Sequence, residues 1–292
     1  MYLKIEFDEI KNNIKSFDLL YSTTTTRFSR LINKGHKIMN GIGGTFSHVG
    51  IIMKGDIFPI NAIIKSTKKE YKDYMIDPEK FYIFESIHTT QSECPSVTGC
   101  HIDGVQLRDF DEVLKSYFKL KNDGSMEIIG IAKLNNIARK KVDDMFKKIY
   151  SFDDNEHYDT QIKNNIYEFI QTQIKKKYNF SYIDQLYMPF HKYRLIQFIK
   201  NIKDYFYKYN DDLLCSELVG TILIKLGLLD NNINIHYIMP ESFLPKSDNE
   251  TYDHTKQLPV LYENPIEIIN TKYIVSLVLD DIIKNVIKKF EI

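Results

Sequence analysis

Apolar residues recur at helical spacing after residue 213. Leu214, Leu218, Val219, Ile222, Leu223 and Leu226 would line one face of a buried helix, and Gly227 follows as a stop signal. Asp211 or Asp212 is placed to cap its first turn, and Cys215 falls in that turn. A period of two marks strands elsewhere. Thr45–Met53 puts Phe46, His48, Gly50 and Ile52 on one face. Phe81–Ile87 puts Ile83, Glu85 and Ile87 on one face, a setting in which a carboxylate needs a partner. Gly104–Arg108 predicts a third, shorter strand, and Ser16–Tyr21 another.

The remaining pattern is mainly helical. Arg27–Met39 carries a modest apolar stripe of Phe28, Leu31 and Ile32, and Thr23–Thr26 could cap it. Residues 109–177 predict helices at Asp111–Leu120, Ala132–Tyr150 and Gln161–Lys177. Tyr178–Tyr207 is aromatic-rich and broken by Pro189, so no element is assigned there. Met239–Pro245 is turn-rich, a strand is expected near Val260, and a helix is expected over Ile274–Phe290. Gly41, Gly43 and Gly44 do not form a phosphate-binding loop, because the Gly-Lys-Ser/Thr ending is missing and a strand follows.

Composition narrows the classes without choosing one. The 292 residues are 43% hydrophobic and 27% charged, as in ordinary globular proteins. Lys+Arg and Asp+Glu both number 39, so no basic field points to nucleic acid; Lys175–Lys177 reads as a solvated helix face. Three cysteines make no disulfide framework and fit a reducing compartment. Met1–Glu6 lacks the apolar core of a signal peptide, and no stretch reaches the roughly 20 apolar residues of a membrane span. A cytoplasmic protein is expected. The richness in Lys, Asn, Ile, Asp and Tyr, with no Trp, reflects AT-rich coding of the kind found in some large DNA viruses and parasites. For a viral protein the expected location is host cytoplasm or virion.

The candidate chemistry rests on three residue types. A thiol at a helix N-terminus feels the positive end of the backbone dipole, which favours the nucleophilic thiolate. Cysteine hydrolases need that thiolate, an imidazole and a polar group that orients the imidazole. Cys215, His48 and Glu85 supply these types, each in a helix or strand setting. Taken singly, each has a plainer reading: a core cysteine, a hydrogen-bonded histidine, an exposed strand carboxylate.

The flanking sequences tie the three together. Phe17-Asp18-Leu19-Leu20, Phe46-Ser47-His48-Val49-Gly50-Ile51, Phe84-Glu85-Ser86 and Leu214-Cys215-Ser216-Glu217-Leu218-Val219 occur in the order of the circularly permuted NlpC-type, papain-like cysteine hydrolases, which the chain resembles. That group includes YiiX-like bacterial proteins, poxvirus relatives and, distantly, lecithin–retinol acyltransferase. Met239-Pro240-Glu241-Ser242-Phe243 is similar to the family's Pro-containing segment after the cysteine helix.

The resemblance implies an α+β, permuted papain-like fold, with an antiparallel sheet packed on the cysteine helix. It covers residues 17–53, 81–108 and about 178–245. That leaves 109–177 as a helical elaboration and 246–292 as a C-terminal extension of a single domain. It implies Cys215 as nucleophile, His48 as general base and acid, and Glu85 as the orienting group. The backbone amides of Cys215 and Ser216 become candidates for an oxyanion hole, with Tyr182 and Ser22 as possible side-chain donors. Glu217 should point elsewhere, as a dipole or ion-pair partner.

The implied substrate is a peptide, another amide, or a lipid acyl group, attacked without a cofactor. Acyl transfer or lipid acyl hydrolysis is the alternative within enzymes. A catalytically silent binding or virion-associated protein is the alternative of another class. His88, Cys94, Cys100 and His101 are zinc-ligand types, but five residues between the cysteines is not a common zinc spacing, so no metal is expected.

Overall fold

The computed structural model describes residues 4–25, 29–30, 45–87, 94–100, 103–147, 155–174, 176–177, 214–235, 238, 240–245 and 259–269. Seven strands form one sheet in the order β1-β9-β8-β2-β3-β6-β7. They are β1 (Lys4–Glu6), β2 (Leu19–Thr24), β3 (His48–Lys54), β6 (Phe81–Ile87), β7 (Gly104–Asp109), β8 (Met126–Ala132) and β9 (Ile266–Ile269). β4 (Ile63–Ile64) and β5 (Tyr74–Met75) form a separate pair. Every pairing in the large sheet is antiparallel except β1 with β9, which is parallel. The sheet is therefore mixed, not the purely antiparallel one expected.

Helices cover both faces. α1 (Phe7–Lys11) and α2 (Phe110–Asn122) pack against Leu20, Ile52, Ile83, Ile129 and Ile131. On the other face α3 (Asn136–Lys147), α4 (Asn155–Gln173) and α5 (Cys215–Lys225) cover Leu19, Val49, Ile51, Met53, Tyr82 and Phe84. The fold is α+β. Among the described residues, no helix is long and apolar enough to cross a membrane.

Local sequence explains the helix that matters most to the sheet. In α2, Phe110, Val113, Leu114, Tyr117 and Phe118 are buried at the i, i+3, i+4, i+7, i+8 spacing of one apolar face. The Asp109 carboxylate caps it, accepting from the Asp111 and Glu112 amides at 3.0 and 3.2 Å. Asp18, in the Phe-Asp-Leu-Leu block, ties β2 to the start of α3. Its carboxylate accepts from the Leu134 amide at 3.0 Å and from Arg139 Nη2 at 2.5 Å.

Several expectations are met. Phe81–Ile87 is a strand with the bounds foreseen, and the strands at 45–53, 104–108 and 16–21 and the helices at 111–120 and 161–177 appear with shifted ends. Two regions need correction. Residues 109–177 are not solely a helical elaboration, because they contain β8, an inner strand bonded to β2 and β9. Past the exposed Glu127, Ile128–Ala132 is covered on both faces, so it reads as a short apolar run without alternation, and such a run is ambiguous between strand and buried helix. Ala132, placed at a helix start by pattern, closes that strand opposite Leu19, and α3 begins only after Asn135, whose side chain accepts from the Ala138 amide.

The second correction concerns 246–292, expected as an extension. It contributes β9, which sits between β1 and β8. No strand forms at Val260 itself; Tyr262 makes a single bridge to Leu134 and β9 starts at Ile266. Thr23 and Thr24 belong to β2, not to a cap. The helix expected at Ile274–Phe290, most of that expected at Arg27–Met39, and the whole of Tyr178–Tyr207 lie outside the described residues.

Candidate active site

His48 opens β3, and Glu85 lies on the neighbouring β6. The β3–β6 register sets Gly50 between them: a Cβ there would stand 3.1 Å from the Glu85 Cβ and 3.5 Å from its Oε2. With no side chain at Gly50, the Glu85 carboxylate leans across β3 to the imidazole. His48 Nε2 and Glu85 Oε2 are 2.5 Å apart. A carboxylate can only accept, so Nε2 carries the proton in this bond and Nδ1 is left for another partner.

That partner is Cys215. It is the first residue of α5, which lies across β3 and β6 on the opposite layer from α2. Its sulfur is a hydrogen-bond partner of the His48 imidazole and favours the protonated ring. The three residues separated in sequence thus converge, with exposures of 5% for Cys215, 4% for His48 and 0% for Glu85.

The charge balance follows from what surrounds them. Burial by itself would push the His48 imidazolium to lower pKa, but Cys215 and then Glu85 favour the charged ring and hold it at about 9. Burial likewise penalises the Glu85 carboxylate. Arg108 and His48 outweigh that penalty and bring Glu85 down to about 2.

Arg108 itself is buried on β7 and meets Glu85 Oε1 through both Nε, at 2.8 Å, and Nη2. Its Nη1 donates to the Cys94 carbonyl at 3.1 Å, and its Nη2 lies 3.4 Å from the Tyr117 hydroxyl. Tyr117 donates to Glu85 Oε2 at 3.3 Å. Both oxygens of Glu85 are therefore partnered, and it remains ionised in the protein interior.

The backbone before His48 is pinned from two sides. Glu241, on a short 3₁₀ turn (Pro240–Phe243), accepts from the amides of Thr45 and Phe46, the latter at 3.0 Å. The Thr23 hydroxyl donates to the Thr45 carbonyl and accepts from the Ser47 amide at 3.2 Å. These contacts set where β3 starts and so where the imidazole stands.

The start of α5 departs from the pattern reading. Its N-cap is Leu214, which has no capping side chain, and Asp211 and Asp212 lie outside the described residues. Glu217 supplies the missing partner by reaching back to accept from the Leu214 amide at 2.8 Å. Its carboxylate is thus engaged at the positive end of the helix, where a dipole partner was expected. Gly227 stops the helix: at φ +64° it closes a Schellman turn, with Leu228 N donating to Leu223 O and Gly227 N to Ile224 O.

The other candidates divide. The Ser216 hydroxyl donates to the Ile238 carbonyl at 2.6 Å, so only its backbone amide is left for a ligand. Ser22 pairs with His48 across the β2–β3 ladder and is a hydrogen-bond partner of the Tyr117 phenol. It belongs to the support behind Glu85. Tyr182 lies outside the described residues. Cys94 is buried against Arg108 and burial pushes its thiol up to about 11; Cys100 Sγ lies 3.6 Å from Ser66 Oγ. His88 and His101 lie outside the described residues. Among those described, no three His, Cys, Asp or Glu side chains are grouped to hold a metal.

Sequence reasoning missed Arg108, Tyr117 and Glu241. For Arg108 the signal was present: a carboxylate among isoleucines needs a cation, and Arg108 sits on the adjacent predicted strand. Compared with known proteins, the chain matches no family model and no curated sequence.

Proposed function

We propose that the protein is a cysteine hydrolase that cleaves an amide, isopeptide or ester bond through an acyl-enzyme. The observation that carries this reading is the His48 imidazole held between the Glu85 carboxylate, at 2.5 Å, and the Cys215 sulfur at the first turn of α5. The resemblance of the flanking blocks to the permuted NlpC-type, papain-like hydrolases supports it.

The Cys215 thiolate attacks the carbonyl carbon, forming a C–S bond and a tetrahedral oxyanion. As that collapses, His48 gives its Nδ1 proton to the leaving nitrogen or oxygen, and the C–N or C–O bond breaks. Water then attacks the thioester carbonyl while neutral His48 takes its proton. Collapse of the second intermediate releases the carboxylic acid and returns the thiolate–imidazolium pair. Glu85 stays a carboxylate throughout and holds Nε2–H in place.

The 5% exposure of Cys215 favours a second reading, a binding protein that keeps the fold without turnover. The rate of Cys215 alkylation by iodoacetamide at neutral pH, in wild type and His48→Ala, separates the two. Fast modification of Cys215 that His48→Ala slows at least tenfold supports the hydrolase. A rate as slow as that of a buried thiol, the same in both proteins, leaves the binding protein standing.

A further inference from the structure

The Tyr21 hydroxyl is buried in the sheet core and has no hydrogen-bond partner among the described residues. Buried phenols nearly always find a partner, because leaving one without costs the full desolvation of the group. Tyr21 lies on β2 opposite Val49, the residue after His48, and its side chain belongs to the same continuous cluster as Cys215. The Phe46 ring packs against it at 4.9 Å between centroids, and Phe46 is itself anchored by Glu241. The phenol thus packs on the face that carries the start of α5.

That start is an 11-residue helix whose first amides, at Cys215 and Ser216, have no acceptor within the helix. Neither neighbouring side chain supplies a donor. Glu217 is an acceptor, turned back on the Leu214 amide, and the Ser216 hydroxyl is bound to Ile238 O. We propose that the Tyr21 hydroxyl is a catalytic residue of the oxyanion hole, donating with the Cys215 amide to the oxygen that becomes negative when the thiolate attacks. No proton is transferred: the O–H and N–H bonds strengthen their hold as charge builds on the oxygen and relax when the carbonyl re-forms. Burial above all, with the neighbouring Tyr262, Glu241 and Cys215 groups, pushes the phenol well above its ordinary pKa and keeps it a donor. The unmatched hydroxyl of the free protein is then a donor waiting for the transition state.

The inference rests on Cys215 being the nucleophile, and the test separates the two claims. Iodoacetamide reacts at a saturated carbon and forms no oxyanion, whereas p-nitrophenyl acetate acylates through one. In the full chain, Tyr21→Phe should slow acylation of Cys215 by about 10²–10³-fold and leave alkylation within about twofold of wild type. Its melting temperature should not fall, since the lost hydroxyl had no partner. Unchanged acylation in Tyr21→Phe would overturn the role of Tyr21 and leave the hydrolase reading intact. Equal losses in both reactions, or a lowered melting temperature, would make the hydroxyl structural and overturn it as well. A wild type that p-nitrophenyl acetate never acylates at Cys215 would overturn the inference together with the reading beneath it.

Discussion

Arg108 grips one oxygen of Glu85 and leaves the other to His48. The division matters because a lone carboxylate at 0% exposure would take up a proton and lose its hold on the imidazole. With the guanidinium on Oε1, Glu85 stays charged, and Oε2 can accept from Nε2. The site is thus an alternating row of acid and base groups running from β7 to α5.

Arg108→Met should destabilise the protein by about 3–5 kcal/mol, because it leaves Glu85 buried without its cation. The Glu85→Met/Arg108→Met double variant should recover much of that loss, since both charges are gone. Urea denaturation checks both. Glu85 is held at about 2, below its ordinary 4.5, so its contribution is present above pH 4.5 and lost as pH falls toward 2. In Arg108→Met acid unfolding should begin at a higher pH.

His48 runs the other way. Its pKa is raised from 6.5 to about 9, so its stabilising contribution is complete below pH 6.5 and lost as pH rises toward 9. The size is on the order of 3 kcal/mol. An NMR titration of the His48 ring should show a midpoint near 9. Cys215→Ala should lower that midpoint more than Glu85→Gln does, because Cys215 is the larger of the two influences. The reverse order would place the main partner of the ring at Glu85.

Gly50→Ala tests the close approach of β6 to β3. In most strands this change is neutral or favourable, since glycine orders poorly. Here the new Cβ would stand 2.8 Å from Ile83 Cγ2 and 3.1 Å from the Glu85 Cβ. The expected cost is about 1–3 kcal/mol by thermal unfolding, with a lowered His48 midpoint as Glu85 is pushed away.

Glu241→Ala removes the acceptor for the Thr45 and Phe46 amides. Stability should fall by about 1.5–3 kcal/mol and Cys215 alkylation should slow. Glu241→Gln, which keeps an acceptor oxygen, should restore most of both. Equal damage from the two variants would show that the charge, and not the acceptor, is what the segment needs.

Legibility in the sequence varied by element. Phe81–Ile87 is readable end to end, because Phe81, Tyr82, Ile83, Phe84 and Ile87 are strand formers and turn residues precede them. β8 and β9 are not: one is covered on both faces past Glu127 and shows no alternation there, and the other is four residues long and pairs in parallel with β1. Glu85 stands out in the sequence as a carboxylate out of place, yet its cation is fixed only by the register of β6 and β7. In the sequence Tyr21 is a strand tyrosine like any other; only the fold shows its hydroxyl buried with no partner among the described residues.

By itself the sequence determined what acts within a few residues. It set the apolar face and glycine stop of α5, the cysteine in its first turn, and the strands that carry His48 and Glu85. Which of these groups meet was decided by the tertiary structure. The bonds that build the site join residues 37 apart for His48 and Glu85, 23 apart for Arg108 and Glu85, and 195 apart for Phe46 and Glu241. Local preference is blind to such pairs, because they depend on strand register and on burial that raises the cost of every unmatched charge. The same burial holds His48 and Glu85 together as a tightly bonded pair beside Cys215.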